Sequence, residues 1–182
     1  MFKRISKQIA IPDHPGIYFI RLSEKSNLSC FGTPFSLLYI GKAEDSLKDR
    51  LVNQHFITGK TGSSSLRKTL GAVLKEKLSL HAMPRSETEK SNRRFSNYSF
   101  IKQDDTKLTE WMNTNLEFCF IEHSKMNEKD KNSTLRKVEV RYTIKYLPTL
   151  DLDRATKKYN IFAKELSDLR VICKIEAKQY KS

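Results

Sequence analysis

Short apolar runs alternate with polar stretches along the chain, and the spacing within each run predicts its element. Pro15-Gly16 introduces Ile17-Tyr18-Phe19-Ile20-Arg21-Leu22, a β-branched and aromatic run that reads as a strand. Residues 23–34 are rich in Ser, Asn, Gly and Pro and read as a connection. A second strand follows at Phe35-Ser36-Leu37-Leu38-Tyr39-Ile40 and is closed by Gly41, so an antiparallel hairpin is the simplest pairing. From Asp45 the period turns helical: Leu47 and Leu51 share a face, and the helix is expected to run to about Phe56. Ser63 or Ser64 is suited to cap a further helix carrying Leu66, Leu70, Val73 and Leu74 on one side.

Beyond residue 80 the pattern is weaker. Tyr98-Ser99-Phe100-Ile101 is a candidate strand, and Thr109 a candidate cap for a short helix through Trp111. Leu116-Glu117-Phe118-Cys119-Phe120-Ile121 is a third clear strand. Residues 126–146 read as one helix stopped by Pro148, and a last helix is expected from about Ala155 to Tyr180, with Asp168 as a candidate break. The expectation is an α+β fold, with a small central antiparallel sheet of about three strands flanked by helices. It forms a single domain over 1–182, with a core at about 13–58 and 108–151, an insertion at about 60–107 and a C-terminal helical extension at about 152–182.

Charge adds a partner class. The 182 residues hold 34 basic and 21 acidic side chains, a formal +13 with pI near 9.7. Residues 42–107 alone hold 14 basic and 8 acidic groups, so much of the excess lies within the folded part of the chain and not in a basic tail. Such a balance favours polyanions, nucleic acid first among them, with an anionic membrane surface as the other reading. No apolar run approaches the ~18 residues needed to cross a bilayer, and no membrane association is expected. Cys30, Cys119 and Cys173 are odd in number, far apart and without a CxxC pair; a reduced, cytoplasmic setting fits them. The first ten residues lack the apolar core of a signal peptide.

Gly59-Lys60-Thr61 looks like the end of a phosphate-binding loop, but that pattern needs a glycine where Gln54 stands, and no strand leads into it. The informative constellation is Gly16-Ile17-Tyr18 in the first strand and Tyr39-Ile40-Gly41 in the second, followed by Lys42 and by Arg50 on the next helix. Here the chain resembles the GIY-YIG nuclease family, and the run from Tyr39 through Ala43 to Arg50-Leu51 is similar to that of excision-repair nuclease domains. Glu139 stands nine residues before Pro148, with Thr143-Ile144-Lys145 between them, in the order of the family's later glutamate.

The resemblance implies a metal-dependent endonuclease. Tyr18 is then the activator of the attacking water, Tyr39 a hydrogen-bonding partner of phosphate or water, and Arg50 a planar, permanently charged fork matched to phosphate. Glu139 is a hard oxygen ligand suited to Mg2+ or Mn2+. A free phenol ionises near ~10, so Tyr18 needs a cation beside it, and Lys42 is the nearest in sequence. His55 is a second-tier catalytic candidate, since five α-helical residues place it about 140° around the helix from Arg50.

Three departures from the family pattern stand out. Tyr18 and Tyr39 are separated by 21 positions, nearly double the usual spacing, which makes the loop a substrate-contacting insertion or a tolerated surface excursion. Asp151 replaces a usual Asn, and a second carboxylate near Glu139 either assists a metal or weakens phosphate approach. The insertion at 60–107 either contacts nucleic acid or buries its aromatics in a core of its own. DNA is the expected substrate and RNA remains open. The alternative is a basic, non-catalytic nucleic-acid-binding protein on the same fold. Any sequence specificity must come from the domain's own loops and insertion, alone or as a homodimer.

Overall fold

The computed structural model describes residues 2–4, 10–86 and 88–180 of the protein. It divides into two units, one of residues 1–53 with 113–163 and one of 54–112 with 164–182.

The first unit is built on a three-stranded antiparallel sheet. Strand β1 (Gly16–Leu22) lies between β2 (Leu37–Ala43) and β5 (Leu116–Glu122), so all three strands expected from the sequence are present and paired. The central position of β1 explains its nearly unbroken apolar run, because both faces of the strand are covered. On one face Ile17, Phe19 and Ile40 pack with Met126 and Val138 of the chain that follows β5. On the other, Gly16, Tyr18 and Ile20 alternate, and Leu47 lies directly over Gly16: a Cβ there would sit 2.7 Å from Leu47 Cδ1 and 2.5 Å from the Ile121 carbonyl oxygen. The register sets Tyr18 opposite Gly41 and Ile20 opposite Tyr39, which puts both tyrosines on one face.

The long loop between the tyrosines is anchored. Ser23 and Ser26 are buried and bonded to each other at 2.7 Å, and Ser26 donates to Asn115 Oδ1 at 3.0 Å. Leu28 and Phe31 are buried, and Phe31 meets Phe162 edge-on at 5.5 Å.

Residues 126–146 form two helices, α5 (Glu128–Lys131) and α6 (Leu135–Tyr146), where the sequence suggested one. The cause is a pair of N-caps: Asn127 accepts from the Asp130 amide and Thr134 from the Lys137 amide. Leu147, in the left-handed region, and Pro148 end α6 as expected. The amides of Thr149 and Leu150 then bond to the carbonyls of Leu37 and Leu38, covering the outer edge of β2.

In the second unit Ser64 caps α1 (Ser65–Val73) as predicted, followed by the short α2 (Lys75–Leu78). The run at Tyr98 contributes β4 (Ser99–Phe100), which pairs with a two-residue strand missed in the sequence, β3 (Ala82–Met83). A short helix, α3 (Arg93–Ser96), precedes β4. Helix α4 spans Lys102–Asn115, well beyond the short helix expected after Thr109. Thr109 does not cap it; its hydroxyl donates back to the Asp105 carbonyl at 2.9 Å, one turn earlier. The last helix, α7 (Ala163–Gln179), begins later than predicted and passes through Asp168 unbroken. Asp153 and Asn160 take up the amides of Ala155 and Phe162 before it, and Lys164 pairs with Asp168 along its surface at 2.8 Å. No helix among the described residues is long and apolar enough to cross a membrane.

Candidate active site

Four side chains from four elements of the first unit act on one another. Tyr18 is fully buried on β1, and its ring stacks on that of Tyr39 from β2, with centroids 6.2 Å apart and planes at 28°. The glycine of the second tripeptide is required by this packing: a Cβ on Gly41 would stand 2.2 Å from the Tyr18 hydroxyl. Arg50 approaches from the segment after β2 and donates from Nε to Tyr18 Oη at 3.4 Å. That segment is a π-helix, Asp49–His55, a widened helical turn frequent at functional sites and invisible to an α-helical period. Its start is fixed because the Leu47 and Lys48 amides bond to the His14 and Pro12 carbonyls, and Ser46 Oγ accepts from the Asp49 amide.

Glu139 projects from α6, its side chain mostly buried. Its Oε2 accepts from Arg136 Nη1 at 2.9 Å, and Arg136 Nη2 reaches Asp153 Oδ1 at 2.5 Å. Arg136 thus bridges two carboxylates. Neither it nor Asp153 stood out in the sequence, although Arg136 lies three residues before Glu139 on one helical face, a spacing that could have suggested the pair.

The electrostatics follow from burial against this cluster. Burial pushes the Tyr18 phenol up to about 12; the charge and hydrogen bond of Arg50 pull it down, Glu139 raises it, and a hydrogen bond from Tyr39 lowers it. The Tyr39 phenol is raised well above its ordinary value, by burial first and then by the Tyr18 and Glu139 charges. Burial also raises the Glu139 carboxyl, against Arg136 and Lys42. The cation beside Tyr18 is therefore Arg50, whereas Lys42 acts on Glu139 and pairs with Glu44.

The remaining candidates are placed differently. Asp151 is buried with both carboxylate oxygens engaged: Oδ2 accepts from Thr156 Oγ1 at 2.5 Å and Oδ1 from the Asp153 amide at 3.1 Å. It shapes the loop that carries Asp153. His55 falls in the second unit, fully buried, with Nδ1 2.8 Å from Ser64 Oγ.

A divalent cation is implied by the family resemblance, and the donor chemistry fits one kind. Arg136 engages Oε2 of Glu139, and a carboxylate with a second oxygen is a hard ligand of the kind such a cation takes. No group of three or more His, Cys, Asp or Glu side chains converges among the described residues. Such a site suits Mg2+ or Mn2+, which keep several waters and need one or two carboxylates, and not the closed cage of a structural zinc.

The family model described as the GIY-YIG catalytic domain matches residues 16–172. No curated protein and no solved structure matches the chain.

Proposed function

The chain belongs to the GIY-YIG nuclease family, and on that premise we propose that it is a metal-dependent endonuclease that hydrolyses phosphodiester bonds of DNA. The observation that carries this reading is the cluster around the Tyr18 hydroxyl: Arg50 bonded to it, Tyr39 stacked beside it and the Glu139 charge acting on both phenols.

Glu139 would hold Mg2+ or Mn2+, with Arg136 and Lys42 opposing the burial that raises its carboxyl and so favouring the charged form that binds a cation. A bound divalent ion supplies positive charge that neutralises the non-bridging oxygens, eases departure of the leaving oxygen and favours ionisation of a nearby phenol. Tyr18, as phenolate, takes a proton at Oη from the water that attacks phosphorus. Arg50 holds Tyr18 by its Nε, and its planar, permanently charged guanidinium beside the hydroxyl matches phosphate in a way a lysine point charge cannot copy. Tyr39 orients the Tyr18 hydroxyl and packs its ring. Asp151 and Asp153 position Arg136, while His55 is assigned no part in the reaction.

Tyr18→Phe preserves the stacked ring and removes one oxygen. Cleavage of a labelled duplex is expected to fall by roughly 10²–10⁴-fold, as for loss of a general base, with duplex affinity unchanged. A Tyr18→Phe enzyme that cuts at the wild-type rate refutes the assignment. Preference for structured RNA over duplex DNA in competition would move the substrate class.

A further inference from the structure

The second unit contains a cluster of cations that the reaction above does not use. Lys68 lies on α1 with only 6% of its surface exposed. Its ammonium donates to Asn97 Oδ1 at 2.6 Å, a neutral partner that uses one of its three N–H groups. Two guanidiniums stand near it. Arg85 packs over Gly62, where a Cβ would be 2.8 Å from Arg85 Cγ, 2.9 Å from the Asn97 carbonyl oxygen and 2.9 Å from Ser99 Oγ. Arg170, from α7, lies beside the Tyr98 hydroxyl, which itself donates to the Lys68 carbonyl at 2.8 Å.

No carboxylate among the described residues forms an ion pair with Lys68, Arg85 or Arg170. Four acids of this unit are engaged elsewhere: Asp105 by Arg67, Asp104 by His81 and Lys107, Glu176 by Lys75, and Asp168 by Lys164. A buried ammonium is ordinarily paired with an opposite charge, because desolvation and like-charge repulsion both disfavour it. Both act here: burial, then Arg170 and Arg85, lower the Lys68 ammonium to about 8. An arriving anion would relieve each of them.

We propose that Lys68, Arg85 and Arg170 form a phosphate-binding site in the second unit that grips the backbone of the nucleic-acid substrate. The chemistry selects phosphate: two planar forks and one point charge offer several donors at close quarters, and Asn97 and Ser99 add polar groups beside them. A phosphate held there carries no sequence information and sets where the strand lies. The proposal rests on the nuclease reading for the identity of its substrate, but concerns binding and not cutting.

The test measures affinity of the full-length protein for a labelled DNA duplex across a salt series, in EDTA so that no cutting intervenes. Arg85→Ala and Arg170→Ala are each expected to lower the slope of log affinity against log salt by about 1, as for loss of one phosphate contact. Lys68→Met is expected to do the same, provided circular dichroism shows it folded; the two arginine variants decide the matter if it is not. Lys164→Ala, on the exposed surface of α7, controls for lost charge and should leave the slope unchanged. Inorganic phosphate at fixed ionic strength should weaken wild-type duplex binding and have less effect on Arg85→Ala. Unchanged slopes for both arginine variants overturn the proposal even if plasmid is cut, and so does an equal change in Lys164→Ala. Binding of inorganic phosphate with no change in duplex slope makes this a free-phosphate site and equally overturns it. A wild type that binds the duplex with these slopes but never cuts leaves this site standing and removes the nuclease assignment.

Discussion

The Tyr18 hydroxyl has no space on its Gly41 side, and that close approach sets the demand on the second tripeptide. Gly41→Ala would place a methyl group 2.2 Å from Oη, so Tyr18 must move. Displacement of about 1 Å in an active site can cost on the order of 10²-fold, and single-turnover cleavage by this variant should show a loss of that size with little change in duplex affinity. A second consequence concerns pH. The phenol is raised to about 12 by burial, above its ordinary value, so the proton-accepting phenolate is scarce at neutrality. Its population, and with it the cleavage rate, should rise with pH by up to about tenfold per unit, until the phenol of the metal-bound protein ionises. Tyr18→Phe should abolish that slope; a slope that survives would assign the titration to another group. Both tyrosines were legible in the sequence because each tripeptide is contiguous and its strand unmistakable. Arg136 and Asp153 were not, because their importance lies in bridging to Glu139 across a helix end and a loop. The cation at Tyr18 was misjudged for a related reason: sequence proximity favoured Lys42, whereas the π-helix delivers Arg50.

At the scale of elements, the position of Glu139 depends on how α6 is held. Asp130 of α5 clamps it: Oδ2 accepts from Tyr142 Oη at 2.7 Å, and Oδ1 pairs with Arg141. Burial pushes the Asp130 carboxyl up, but the bonds from Tyr142 and Arg141 outweigh it and hold it below its ordinary value. A carboxyl depressed in the folded state contributes stability above its unfolded pKa, and that stability is lost as pH falls through the folded value. Denaturant midpoints should therefore drop on the acid side of the ordinary carboxylate range, and Asp130→Asn should flatten that limb. An unchanged acid limb in Asp130→Asn would show that the clamp adds nothing to stability. The second unit has its own buried pair, in which Arg67 Nη2 meets Asp105 Oδ1 at 2.9 Å and also bonds to Thr109. Asp105→Ala leaves that guanidinium uncompensated and should cost about 3–5 kcal/mol of unfolding free energy, read by chemical denaturation. The strands and α1 were legible from period and capping. The break between α5 and α6 and the late start of α7 were not, because side chains that capture backbone amides decide both.

For the whole molecule, the +13 charge is divided between two places. Part of it lies at the candidate active site, at Arg50, Lys42 and Arg136, and part forms the cluster at Lys68, Arg85 and Arg170. Composition identified a polyanionic partner without separating the two, since charge counts carry no positions in space. Membership of the GIY-YIG family makes nucleic acid the substrate class, and hydrolysis at Glu139 is the claim on which the mechanism stands. Its most direct test incubates wild-type protein and Glu139→Ala with supercoiled plasmid and Mg2+, and follows conversion to nicked and linear forms on a gel. The wild type is expected to cut, EDTA to stop it, and Glu139→Ala to bind the plasmid and leave it supercoiled. A wild type that binds yet leaves the plasmid intact with both Mg2+ and Mn2+, or a Glu139→Ala protein that cuts as fast as wild type, would contradict that claim.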